Sequence, residues 1–163
     1  MQNENLHGQI AMDAKTENGE LSVNIDFTVP FYDLDAIQMV WHGNYVKYME
    51  NAREAFGDKY HFEYLHIFNS GYTAPVVDMH IKYRNSARIG DKLNIKITYV
   101  PTKAAKMVFR YIVTRPADNA VIIEAETTQL FVSRSGTFET SNPDFVVEWK
   151  KNWNIPLPKS STK

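Results

Sequence analysis

Two carboxylates, Asp33 and Asp35, stand just ahead of the run Trp41-His42-Gly43-Asn44-Tyr45, and that run opens a helical pattern. The start of a helix leaves backbone N–H groups without acceptors, and such groups can hold an oxyanion as it develops on an attacked carbonyl. An acid before that start can face a bound acyl carbonyl and a water molecule together, which is the layout of a hydrolytic site. The same acids are also ordinary caps of turns and helices, so spacing alone leaves both roles open. His42 together with the two acids suggests a triad or a metal site, since histidine is a common general base and metal ligand. Neither follows: no serine or cysteine stands where an activated nucleophile is needed, and two acids with one histidine give a metal too few ligands. No metal and no organic cofactor is expected.

Asp-Leu-Asp-Ala at 33–36, Val-Trp-His-Gly-Asn-Tyr at 40–45 and Glu50-Asn-Ala-Arg53 resemble the signature of the hotdog-fold acyl-CoA thioesterases related to 4-hydroxybenzoyl-CoA thioesterase. The order of elements fits that family from about residue 22 to 135. The resemblance implies that Asp35 is the catalytic carboxylate, as nucleophile or general base, and that the backbone N–H at His42 or Gly43 donates to the thioester carbonyl. It also implies a structural role for Glu50 and Arg53, which at i, i+3 can pair on the helix surface. Asp33 reads as a residue that orients the loop. Gly43 permits close approach of a ligand or serves simple helix-start geometry.

One position departs from the family pattern. The usual glycine three residues after the catalytic acid is replaced by Gln38, followed by Met39. Gln38, Trp41, Asn44 and Tyr45 are the candidate substrate contacts; Asn44 is equally a cap, and Tyr45 begins the apolar stripe of the helix and fits the core. Lys82, Arg84 and Arg88 form a basic set near one strand end, with Lys103 and Lys106 near another turn. Of these, Arg84 and Arg88 are the residues expected to meet coenzyme A phosphates or the acidic face of an acyl carrier protein. Apolar Phe62, Tyr64, Leu65, Ile67 and Phe68 fit an acyl tunnel or the core equally well.

The expected activity is therefore hydrolysis of a fatty or aromatic acyl thioester of coenzyme A or of acyl carrier protein. One alternative is a non-catalytic acyl-thioester or lipid-binding module that kept the fold. A hotdog dehydratase or hydratase is more distant, because the segment lacks that group's Asp-x-x-x-x-His arrangement. Hotdog domains pair edge strands, so a homodimer or homotetramer with a shared site is expected.

The elements that must position these residues read clearly. Leu21, Val23, Ile25, Phe27 and Val29 alternate with polar residues up to Pro30, a half-buried strand. From about His42 to Phe56 the period becomes helical, with Tyr45, Tyr48, Met49, Ala52 and Phe56 on one stripe and Gly57-Asp58 as the expected break. Four strands follow, over 72–84, 92–100, 106–114 and 121–132, joined by short polar turns. Asn142 and Pro143 predict the cap and first residue of a terminal helix packed outside the domain or at a subunit contact. One strand, one long helix and an antiparallel meander make an α+β domain whose sheet needs that helix as cover. The hotdog, an antiparallel sheet wrapped around a long central helix, is the member of this class that the resemblance favours.

The chain divides into an N-terminal arm (1–20), the hotdog domain (21–140) and a C-terminal helix and tail (141–163). Its 163 residues suffice for one core. A net charge of −1 with scattered basic residues argues against nucleic acid as a partner. The absence of cysteine excludes a disulfide framework and a thiol nucleophile. No basic segment followed by an apolar run opens the chain and no stretch could span a bilayer, so a cytoplasmic protein without membrane insertion is expected.

Overall fold

The computed structural model describes residues 20–158. The expected arm over residues 1–20 therefore lies outside the described residues except for Glu20. Strand β1 (Leu21–Thr28) and a short 3-10 turn (Phe31–Asp33) precede the long helix α1 (Asn44–Tyr60) and a short helix α2 (Tyr64–Asn69). Strands β2 (Tyr72–Thr73), β3 (Val76–Tyr83), β4 (Lys92–Val100), β5 (Lys106–Arg115), β6 (Ala120–Leu130) and β7 (Val132–Ser133) follow, and α3 (Asp144–Asn152) closes the fold. The main sheet has the order β1-β4-β5-β6-β3, and β2 pairs with β7. All of its neighbours are antiparallel.

Period-two alternation puts Leu93, Ile95, Ile97 and Tyr99 of β4 on the same face as Phe109, Tyr111 and Val113 of β5. That face meets the stripe of α1, with Tyr45, Met49, Ala52 and Phe56, in one core. The helix packs chiefly over β1 and β4. The result is the α+β hotdog arrangement, a sheet around a central helix.

Several boundaries differ from the expected ones for identifiable reasons. Helix α1 begins at Asn44, not at His42, and runs through Gly57 to Tyr60. Gly57 is buried, and a Cβ there would lie 3.1 Å from Glu63 Cα and 3.2 Å from Phe62 O. Its role is to let the returning chain pass against the helix, not to end it. The left-handed residue that stops α1 is His61, at φ 56°. The strand expected over 72–84 is split at Ala74-Pro75, since proline has no N–H for a ladder.

The free edge of β1 is capped at its start by Tyr60, whose hydroxyl donates to Ser22 O at 2.9 Å and accepts from Ser22 N–H at 3.2 Å. Helix α3 is part of the core. Trp149 is buried, its ring lies 4.3 Å from Phe62 and 5.2 Å from Tyr99, and its Nε1–H donates to Tyr60 O at 2.7 Å. Pro143 takes the cap position, and Asn142 turns away from the helix start, donating to Lys103 O at 2.9 Å and accepting from Lys150 Nζ at 2.9 Å.

Lys150 is fully buried and donates also to Thr102 O at 2.7 Å. Burial with no carboxylate partner pushes its pKa down to about 8. Between that value and the ordinary lysine value the folded state holds fewer protons than the unfolded one, so this group makes stability rise with pH there. In chemical denaturation, wild type should gain on Lys150→Met by about 1 kcal/mol per pH unit between about pH 8 and 10. Parallel stability curves for the two proteins would show that Lys150 does not titrate in that window.

Candidate active site

The segment ahead of α1 is a tight hairpin. Leu34 and Val40 bridge across it, Asp35 N–H donates to Met39 O at 2.7 Å, and Trp41 N–H donates to Asp33 O at 2.9 Å. Asp35 sits at its head, half-buried. One carboxylate oxygen, Oδ1, accepts from Ile37 N–H at 2.9 Å and Met39 N–H at 3.2 Å. The other, Oδ2, has no partner among the described residues and carries the lone pairs that chemistry would use.

Gln38 stands at φ 63° in the turn of this hairpin, its side chain exposed. The left-handed conformation explains why a glycine is the residue expected there. An L side chain pays about 1 kcal/mol or more for it.

Asp33 has its other end in the helix. The carbonyl that takes Trp41 N–H also accepts from Asn44 Nδ2 at 2.9 Å, and the buried carboxylate accepts a hydrogen bond from the Tyr48 hydroxyl. Burial, reinforced by the Asp33 carboxylate, holds the Tyr48 phenol protonated far above the ordinary tyrosine range. Asn44 is thus tied to the loop through its side chain.

Gly43 precedes the first helical residue with an ordinary φ of −70°. Packing favours glycine there: a Cβ would fall 2.2 Å from the half-exposed Trp41 ring, which would have to swing aside. The N–H groups of His42 and Gly43 reach no acceptor among the described residues. His42 O is held by the Tyr83 hydroxyl at 3.0 Å, which ties the helix start to the end of β3.

The remaining sequence candidates divide. Tyr45 is buried in the core, its pKa pushed up to about 12 mainly by that burial, and its ring lies 5.8 Å from those of Tyr48 and Tyr83. Ala87 O, in the loop after β3, accepts from Val40 N–H at 2.9 Å, which brings that loop against the hairpin; Arg84 and Arg88 flank Ala87 in it. Arg84 pairs with Glu124 at 2.7 Å on the surface, while the Arg88 guanidinium has no partner among the described residues. Lys103 and Lys106 flank the β4–β5 turn at the far end of the sheet, away from the helix start. Glu50 and Arg53 pair at 2.6 Å, and the buried Arg53 lies 3.2 Å over the Tyr64 ring. Tyr48 and Tyr83 were absent from the sequence candidates. Their signal was available in part: a tyrosine on a buried stripe must find a partner for its hydroxyl.

The sheet wrapped around α1 gives the chain a hotdog fold, and its family supplies the class, thioester hydrolase. The thioesterase-like superfamily matches residues 29–150, from the end of β1 into α3, and the chain belongs to that superfamily. YneP, a candidate acyl-CoA thioesterase of Bacillus subtilis (strain 168), is 25% identical over 130 residues, covering 77% of this chain and 94% of that protein. Among solved structures, a 1,4-dihydroxy-2-naphthoyl-CoA thioesterase from Synechocystis superposes with a TM-score of 0.72 at 17% identity, over 83% of this chain and 99% of its own. A DHNA-CoA thioesterase from Staphylococcus aureus gives 0.71 at 19%, over 82% and 89%. These two likenesses are of fold.

Removal of the Tyr48 hydroxyl leaves a buried carboxylate without its donor. Tyr48→Phe should therefore cost about 1–3 kcal/mol in denaturant unfolding, whereas Gln38→Gly should gain up to about 1 kcal/mol by relieving the left-handed turn. An unchanged midpoint for Tyr48→Phe would show that the pair does not hold loop to helix.

Proposed function

We propose that the chain hydrolyses acyl-CoA thioesters of fatty or aromatic acids, with Asp35 as the catalytic group. The observation that carries this is the state of the Asp35 carboxylate: one oxygen fixed by two backbone N–H groups, the other free, on a hairpin that leads into two unpaired N–H groups. Asp35 Oδ2 takes a proton from water as the water oxygen bonds to the acyl carbon, or attacks that carbon itself. The N–H groups of His42 and Gly43 receive the charge that builds on the carbonyl oxygen. On the general-base route the carbon–sulfur bond then breaks, the free acid forms, and the thiolate takes the proton held by Asp35 and leaves as coenzyme A. On the nucleophilic route the thiolate leaves first, protonated by solvent, and the acyl group stays on Asp35 as a mixed anhydride that water hydrolyses to the free acid and the carboxylate.

The coenzyme A thioesters in the names of the Synechocystis and Bacillus relatives support this carrier. Arg84 and Arg88, on the loop beside the hairpin, suit its phosphates, and Trp41 and Gln38 flank the acyl group. Strand β3 is an edge of the sheet, and pairing it with a second copy would complete a homodimer. A cytoplasmic location goes with this reading; no helix among the described residues is long and apolar enough to cross a membrane.

The test is thiol release from short, long and aromatic acyl-CoAs by wild type and Asp35→Asn. Loss of a general base typically lowers the rate by roughly 10²- to 10⁴-fold, so that much should disappear with the fold intact. Equal rates in the two proteins would remove Asp35 from the chemistry. Release from acyl carrier protein alone would change the carrier, and tight binding without any release would favour the binding-module alternative.

A further inference from the structure

The inner face of edge strand β3 carries four apolar residues in a row. Tyr83, Ile81, Met79 and Val76 pair with Ile123, Ala125, Thr127 and Gln129 of β6, and directly opposed residues of an antiparallel pair share a face. A register shift between Val76 and Asp78 keeps Val76 on that face with Met79. Because α1 packs chiefly over β1 and β4, most of this strip is left open: Tyr83, Met79 and Val76 are 49%, 38% and 42% exposed, while Ile81 between them is half-buried against the core and forms the floor. Val46, on α1, is exposed as well.

The strip has a beginning and an end. At one end the Tyr83 hydroxyl holds the carbonyl of His42, beside the proposed oxyanion donors. At the other, Val76 borders a cavity of about 350 Å³ lined mainly by Tyr64, Ile67, Phe68, Tyr72 and Pro75. On β6 the span runs from Ile123 to Gln129, and at ~3.3 Å per residue it is roughly 20 Å long.

We propose that this trough seats the acyl chain and that its terminal cavity receives the chain's methyl end, so that the preferred substrates are long linear acyl-CoAs. This deepens the thioesterase reading and rests on it. A fully extended sixteen-carbon chain, with bonds of ~1.5 Å along a zigzag, is also roughly 20 Å long. A single aromatic ring would fill only the part next to Tyr83. A second copy paired along the β3 edge would use backbone N–H and C=O groups in the plane of the sheet.

The probes are S-hexadecyl-CoA and S-hexyl-CoA, thioethers with no carbonyl to attack, titrated calorimetrically below their micelle-forming concentrations into wild type, Val76→Trp and Met79→Trp. In wild type the hexadecyl probe should bind at least about 100-fold tighter than the hexyl probe, since each further buried methylene adds affinity. The ratio should fall about tenfold or more when Val76→Trp blocks the mouth of the cavity, and further with Met79→Trp, which lies nearer the reacting end. Both positions are exposed on an edge strand, so at least one variant should fold. Equal binding of the two probes to wild type, or a ratio unchanged in both variants, would overturn the proposal. Thioether binding needs no turnover. A protein that releases no thiol yet shows the ratio would lose the hydrolase reading and keep the trough; normal thiol release with a flat ratio would do the reverse.

Discussion

The backbone carbonyl of Asp33 accepts from Trp41 N–H and from the Asn44 side chain, while its carboxylate takes the Tyr48 hydroxyl. One residue thereby fixes the hairpin that carries Asp35, the first residue of α1 and a side chain on the buried stripe of that helix. Each of these bonds is worth only about 1 kcal/mol on its own. Together they leave the hairpin no way to rotate against the helix without exposing or orphaning a buried polar group. A hairpin ahead of its helix would otherwise be free to drift, and drift of about 1 Å is enough to harm a reacting geometry of the kind proposed for Asp35.

The two edges of the sheet are treated in opposite ways, and the site depends on the difference. At β1 the Tyr60 hydroxyl occupies the edge N–H and C=O of Ser22. With α1 drawn to that side, β3 is left with an open edge and an uncovered apolar face. In a monomeric domain such a strand is a liability. Here it lies next to the helix start, tied to it by Tyr83 and His42, so the same asymmetry that closes one side of the domain provides an apolar surface beside the reacting groups on the other.

Much of this was legible in the sequence where one period dominates. Strand β4 was read to the residue, because Leu93, Ile95, Ile97 and Tyr99 alternate without interruption between polar turns. The stripe of α1 was read correctly and its end was not: Gly57 looks like a breaker, and only the proximity of Phe62 and Glu63 shows it to be a packing glycine. Non-local partners were out of reach for the same reason. Nothing local connects Tyr83 to His42 or Lys150 to Thr102. The hairpin residues were identified as a group, but the division of labour between Asp33 and Asp35 appears only when the hydrogen bonds are seen.

Asp35 serves the loop as well as the proposed chemistry, and the two tasks fall on different oxygens. Oδ1 takes the N–H groups of Ile37 and Met39 and so holds together a turn in which Gln38 occupies a conformation that disfavours side chains. An asparagine keeps an Oδ1 acceptor and puts an NH₂ in place of Oδ2, so it preserves the turn and removes the base. An alanine removes both, releasing two N–H groups and a strained residue at once, and its effect on turnover would mix loss of the carboxylate with loss of the loop. With glycine at position 38 the turn would need less from Oδ1. In this chain the Asp35 carboxylate and the conformation of its own loop are coupled through Gln38, and only an isosteric change separates the proposed chemistry from the fold of the loop.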